Sequence, residues 1–450
     1  MRAEEGTGLT VVRSPHPTPN GPLHLGHLSG PYIAADVAAR AARNRGERVL
    51  TMCGTDDHQN SIMMKARSSG LTPDEVITAN TAVIRETLAS TGITHDVFVR
   101  PYADPEHQAL TRKLFDEMVA GGLVITTERV LLVCHGCGKT MHNSYVTGGC
   151  PFCAAEKTGG TCELCGTFSS ADTMTAPRCA VCGAIPVETR VPGPVLPLEA
   201  HRARLTRLWA GAVLPPSVRA LLTAHLDRPP PTVTATHPTD WGIEVTGGER
   251  LDAWFEMGLT YLVTVGRHVN PRATTLRDFA EAWTGVDSAW SFLGLDTGFY
   301  YAALFPALFA AAGVPDALCV NGLAVNELYL YEGDKFSTSR GHAVWASDLL
   351  KQATPEVIRL FMCWNRPDTH STNFTRETFE YFRTKITPLI EKAQSTPIGF
   401  PTTPVPPETL RAHHALTLES FDPAMAIRCL MTALTDHNDP EATRLLRLIM

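Results

Sequence analysis

The feature that most constrains this chain is a run of four Cys-x-x-Cys pairs: Cys134/Cys137, Cys150/Cys153, Cys162/Cys165 and Cys179/Cys182. Such a turn presents two thiolates to one tetrahedral metal, so two pairs complete a closed structural zinc site. Eight thiolates fit two Zn2+ ions, and spacing alone leaves the pairing open. Disulfides do not suit a chain that opens with the polar MRAEEGTG and shows no secretion segment. A redox dithiol does not need four pairs in fewer than 50 residues. The metal then supplies folding energy, not catalysis. Cys53, Cys319, Cys363 and Cys429 stand among apolar residues and read as buried, inert thiols.

The 450 residues are 44% hydrophobic and 19% charged, a globular profile with room for two to four domains. A net charge of −7 argues against a chain coated in nucleic acid but leaves room for a local basic track. No apolar run reaches the roughly 18 residues of a membrane span. The reading is a soluble cytoplasmic protein with no membrane partner.

Around the cysteines the pattern alternates. GLTVVRSP and RVLTMCG read as strands, with a helix over LHLGHLSGPYIAADVAARAARN between them. Helices follow near 60–69, 74–90 and 105–120. After the cysteines, VPGPVLPLEA marks a boundary and DRPPPTVTATHPTDWGI is Pro-rich. The alternation then resumes with a helix over LDAWFEMGLTYLVTVG, a strand AWSFLG, a buried helix DTGFYYAALFPALFAAAG, a strand ALCVNG and a hairpin around YEGDKFS. This predicts an α/β fold, a doubly wound parallel sheet split by a zinc-binding insertion. The spans are 1–122 and 231–352 for the halves of the sheet domain, 123–230 for the insertion and 353–450 for a helical C-terminal region. STPIGFPTTPVPPETL is a linker within that region.

Two stretches some 300 residues apart carry candidate chemistry. In PNGPLHLGH, His24 and His27 open a helix whose first turn offers free amides and a positive dipole end to an anion. In KFSTSR, Lys335, Ser337, Thr338 and Arg340 form a polar loop able to wrap a pyrophosphate. Each alone is unremarkable. Together, HLGH and KFSTS resemble the two signatures of class I aminoacyl-tRNA synthetases. With the cysteine insertion, CGTDDH, DWGI, AWFEMGLTY and FLGLD, the chain over roughly residues 8–390 resembles the methionyl-tRNA synthetase family.

The resemblance implies a nucleotide-binding domain that condenses an amino acid with ATP (with Mg2+) to an aminoacyl adenylate. The aminoacyl group is then passed to an acceptor, normally tRNA. By motif, His24 and His27 contact the ATP phosphates, and the Lys335 loop closes over the leaving pyrophosphate. Asn20, Gly26, Gly294 and Asp296 belong to the ATP site, with Asp296 on the ribose. Asp56 holds the α-ammonium group; the bland alternative for it is a helix N-cap. Pro15, His16, Trp254, Met257, Tyr261, Thr297 and Tyr301 belong to the amino-acid pocket. The family also implies a nested zinc arrangement, with Cys150, Cys153, Cys162 and Cys165 on one ion and the outer four cysteines on the other.

Three departures stand out. The family's WFDAPIGY reads WFEMGLTY, which introduces Met257 and Gly258. A pocket leucine becomes His16, and a pocket histidine becomes Tyr301. These side chains fill a thioether pocket and make it more polar. The second loop lysine is Thr338, and an arginine before DWGI falls at His237. Only 60 residues follow position 390, which predicts no intact anticodon-reading bundle. Together they suggest activation of an amino acid other than methionine, smaller or non-proteinogenic, for transfer to a small-molecule acceptor or to tRNA. The synthetase-like domains of hydrazine synthetases, which act beside a cupin domain, are a parallel. No His-rich cupin signature appears here, so a cupin-type partner would be separate. The competing readings are a methionyl-tRNA synthetase with a reduced C-terminus and an inactive paralogue that binds tRNA or protein.

Overall fold

The computed structural model describes residues 8–226, 232–336, 342–397 and 404–450. Its centre is a five-stranded, all-parallel sheet, in the order Gly322–Asn326, Val286–Gly294, Leu9–Arg13, Arg48–Gly54, Val97–Val99. The middle strand is buried along its whole length. Alternate side chains of a strand point to opposite faces. Accordingly Val11 joins the core built with the Ala253–Val269 helix, and Val12 packs on Ala34, Ala35 and Ala38 of the Ile33–Asn44 helix. Covering both faces explains why the strand is a near-continuous apolar run.

Two of the helical segments that lead away from the cleft described below contain a widened π turn, Leu28–Tyr32 and Tyr300–Leu304. Pro31 lies in the first and lacks the amide that a regular turn needs.

Between Val97–Val99 and Val286–Gly294 the sheet is interrupted. Ile125–Val133, Val187–Pro197 and Thr232–Thr234 form an antiparallel sheet that carries the cysteine segments. VPGPVLP is therefore not a boundary but most of a long strand. Pro192 is tolerated because there the strand has a partner on one edge only, and Pro194 because the second edge uses its carbonyl, which accepts from the Ala235 amide at 3.0 Å. A second expectation also shifts. ALCVNG is not a strand: Asp316–Cys319 is a helical turn after Pro315, and the sheet strand begins at Gly322. Short apolar runs do not distinguish the two.

The helices Pro355–Trp364, Arg376–Ser395, Pro407–Ala415, Pro423–Thr432 and Pro440–Ile449 share a second core with the Ile33–Asn44 helix. Arg359, with no exposed surface, ties them together. It donates to Asp36 Oδ2 at 2.5 Å, the Ile449 carbonyl at 2.8 Å and the Thr91 carbonyl at 3.0 Å. Removing one partner of such a buried pair costs about 3–5 kcal/mol. No helix among the described residues is long and apolar enough to cross a membrane.

Candidate functional site

At the C-terminal ends of the parallel strands lies a cleft of about 720 Å³. Loops leaving four strands meet there. Pro15 and His16 follow the middle strand, Asp56 follows Arg48–Gly54, Gly294, Asp296 and Thr297 follow Val286–Gly294, and Asn326 and Glu327 end or follow Gly322–Asn326. This is the switch point where a doubly wound sheet takes its ligand. His24, Gly26, His27 and Trp254 complete the candidate residues that line it. Asn20, Met257, Tyr261 and Tyr301 do not. Asn20 instead donates to Ser61 Oγ at 3.2 Å. Ser337, Thr338 and Arg340 lie outside the described residues, and of Lys335 only the backbone pairing with Leu330 is described. A separate groove of about 610 Å³ beside the edge strand Val97–Val99 gathers none of the candidates.

On one side of the cleft the two distant motifs meet. His24 is the N-cap of the helix that begins at Leu25, and its ring stacks on His27 at 3.8 Å. The His24 backbone N–H donates to His27 Nδ1 at 3.2 Å, which leaves the His27 proton on Nε2. Burial lowers the pKa of His27 to about 4, so it is a neutral N–H donor near pH 7. Phe336 stacks on His24 at 5.0 Å, and the Leu25 amide donates to the Val344 carbonyl at 3.1 Å. Phe336 of the KFSTS segment and Val344 beyond it thus touch the HLGH segment. Asp296, in the short turn that follows Val286–Gly294, lines the same part of the cleft, its pKa raised by burial.

On the other side stands Asp56, 7% exposed. Burial raises its pKa well above the usual range; a Gln59 hydrogen bond opposes this, and Glu256, Asp57 and Asp252 add to it. A carboxyl among carboxyls favours an incoming cation. Asp56 is not a helix cap, since the next helix starts at Ser61 with Asn60 as its cap. Trp254 is aimed by Asp252, which caps its helix and accepts from the Trp254 amide at 2.9 Å. Asp252 also pairs with His237 Nε2 at 3.1 Å, and His237 stacks on His142.

Behind this wall the side chains close up. The Tyr261 and Tyr301 hydroxyls are 2.6 Å apart, Tyr261 donates to the Ser14 carbonyl at 3.2 Å, and Tyr301 lies 3.9 Å from Met257 Sδ. All three residues are buried. Gly258 lets the helices cross closely, because a Cβ there would meet Leu308 at 2.7 Å. His16 abuts Tyr261 at 5.0 Å, and burial lowers its pKa to about 3, which keeps it neutral.

Sequence reasoning missed several residues in and beside the cleft. Tyr300, not Tyr301, stacks flat on Trp254 at 3.8 Å. Asn326 and Glu327 lie beyond the strand expected at ALCVNG, and Glu163 and Leu164 were legible only as the inner residues of the third cysteine pair.

The cysteines form two clusters, Cys134, Cys137, Cys179 and Cys182, and Cys150, Cys153, Cys162 and Cys165. This is the nested arrangement. Within each, the sulfurs lie within 4.8 Å of one another, and the closest cross-pair distances are 3.4 Å and 3.7 Å. Four thiolates about 2.3 Å from one Zn2+ stand about 3.8 Å apart in a tetrahedron, so both sets fit the ion. The inner cluster borders the cleft through Glu163 and Leu164, and Gly166 packs against the Leu295 carbonyl.

The family model "tRNA synthetases class I (M)" matches residues 10–386. The methionine–tRNA ligase of Parabacteroides distasonis is 30% identical over 389 residues, 82% of this chain and 55% of the relative. That of Bacteroides fragilis is 30% identical over 395 residues, 84% and 56%. The chain thus spans about half the length of the curated relatives it matches. The methionyl-tRNA synthetase of Mycobacterium tuberculosis, solved bound by methionyl-adenylate, superposes with a TM-score of 0.70 at 17% identity, covering 95% of this chain and 83% of that one. That likeness speaks for the fold. With the family model spanning both motifs and the cysteine clusters between them, this chain belongs to the class I (M) tRNA synthetases.

Proposed function

We propose that the chain activates an amino acid with ATP, forming an aminoacyl adenylate and releasing pyrophosphate, and that methionine is not its preferred substrate. The substrate carboxylate attacks the α-phosphorus, and the bond to the β-phosphate oxygen breaks. His24 and His27 supply N–H donors to the phosphates, where charge grows. Asp296 holds the ribose and Asp56 the α-ammonium group, which orients the attacking carboxylate. Lys335, Ser337, Thr338 and Arg340 attend the departing pyrophosphate. Mg2+, brought with ATP, would neutralise phosphate charge. The two cysteine clusters would each hold a Zn2+ that fixes the insertion, whose inner cluster borders the cleft. The aminoacyl carbonyl is then attacked by a hydroxyl of tRNA or by a small-molecule amine or hydroxyl, and AMP leaves.

The observation that carries the choice of substrate is the closed set Met257, Tyr261 and Tyr301. They are buried and bonded to one another, and the resemblance assigns these positions to the pocket that encloses a thioether. ATP–pyrophosphate exchange across a panel of amino acids tests the reading. Exchange with a smaller or polar amino acid at least tenfold above methionine supports it. Exchange with methionine alone would refute the specificity, and exchange with none would refute the adenylation.

A further inference from the structure

We infer that the amino-acid pocket is built for a side chain that ends in a carboxylate, with Arg13 as its counter-ion. This rests on the adenylation reading and narrows its substrate class. Arg13 is the last residue of the middle strand, immediately before the Ser14–His16 segment that leads into the cleft wall. It is 3% exposed, and neither its Nε nor its Nη1 has a hydrogen-bond partner. Its guanidinium lies against the rings of Tyr261 at 5.5 Å and Phe309 at 5.6 Å.

The other buried arginines among the described residues show what is missing. Arg129 holds Glu249, Arg359 holds Asp36 and Arg366 holds Asp368. Arg13 has no carboxylate within ion-pair distance among the described residues. Ring faces recover only part of the cost of desolvating a guanidinium. Tyr261 does not serve as an anion, because burial holds its phenol well above the usual range.

Two polar groups nearby can turn to an anion. Tyr261 donates to the Ser14 carbonyl, so the hydroxyl–hydroxyl proton is that of Tyr301, and His16 Nε2 is buried without a partner at the cleft wall. A carboxylate with two oxygens and four lone-pair sites satisfies such a set, with the guanidinium supplying charge-assisted bonds. Asp56 provides the opposite pole for the α-ammonium group. A dicarboxylic amino acid therefore meets a matching charge at each end. Its side-chain carboxylate takes the place of the hydroxyl–hydroxyl bond between Tyr261 and Tyr301.

The test compares ATP–pyrophosphate exchange with aspartate and glutamate against their amide isosteres asparagine and glutamine. The wild-type chain, Arg13→Met, Arg13→Lys and Tyr301→Phe are assayed side by side. The wild type is expected to prefer at least one acid over its amide by tenfold or more. Arg13→Met should abolish that preference, Arg13→Lys should retain part of it, and Tyr301→Phe should weaken it. The wild-type comparison stands even if Arg13→Met does not fold. Exchange with neutral amino acids while both acids are inert overturns this inference and leaves adenylation standing. No exchange with any amino acid overturns both.

Discussion

The two sides of the cleft differ in kind. The side with His24, His27 and Asp296 keeps the family's motif residues and lies open, its groups set by backbone caps and turns at the ends of strands. The side with Met257 and Tyr301 departs from the family's residues around a retained Tyr261 and is closed by side chains that bond to one another. The first depends on backbone geometry that the sheet supplies, so it survives sequence divergence. The second depends on which side chains fill one space, and there a few substitutions change what fits. The comparison teaches that nucleotide chemistry and amino-acid choice are separable in this chain.

The sharpest way to break that separation is Asp56→Asn. Loss of the charge facing the α-ammonium group should lower pyrophosphate exchange about 100-fold, equivalent to about 3 kcal/mol, with the KM for ATP unchanged. A matching rise in the KM for ATP would show that the sides are not independent. On the nucleotide side, Lys335→Ala should lower exchange by about 30-fold and Thr338→Ala by less than about threefold. Equal and negligible effects would remove that loop from the reaction. Met257→Ala tests the closed side from within. It should raise exchange with methionine about tenfold by opening space, at a stability cost of about 2–4 kcal/mol. No gain for methionine would mean that Met257 does not set the limit.

The cysteine clusters extend the comparison. Cys162→Ser and Cys179→Ser should each remove one equivalent of zinc by metal analysis. Only the first, whose cluster borders the cleft, should lower exchange several-fold. Equal losses of exchange would place both clusters in global folding.

The smallest effect is on pH. His16 in the folded chain titrates near 3, below the roughly 6.5 of an unfolded histidine. The unfolded chain therefore binds the proton first. His16 contributes full stability above about pH 6.5 and loses it as pH falls, and the loss levels off near pH 3. One proton limits this slope to about 1.4 kcal/mol per pH unit. Thermal melts of His16→Leu should show a shallower fall below pH 6.5 than the wild type. An unchanged slope would mean that other groups carry it.

Much of this was legible before the fold. Alternating strands and helices gave the doubly wound sheet, and the Cys-x-x-Cys spacing identified the ligand turns, because both are local patterns. What the sequence hid depended on register and packing. The strand expected at ALCVNG starts at Gly322, and the turn before it differs from a strand only in backbone geometry. VPGPVLP lay hidden as a strand because its prolines are harmless only where no ladder bond needs their missing amides. Tyr300 and Tyr301 are adjacent, and the π turn decides which of them meets Trp254. The isolation of Arg13 had no sequence signature, since a missing partner is a property of the whole core.

The most direct test of the account is to trap what the cleft makes. The chain is incubated with ATP, pyrophosphatase and an equimolar mixture of amino acids, and the adenylate is captured with hydroxylamine for mass spectrometry. The account predicts that the main aminoacyl hydroxamate derives from an amino acid other than methionine. A product dominated by methionine hydroxamate would contradict it.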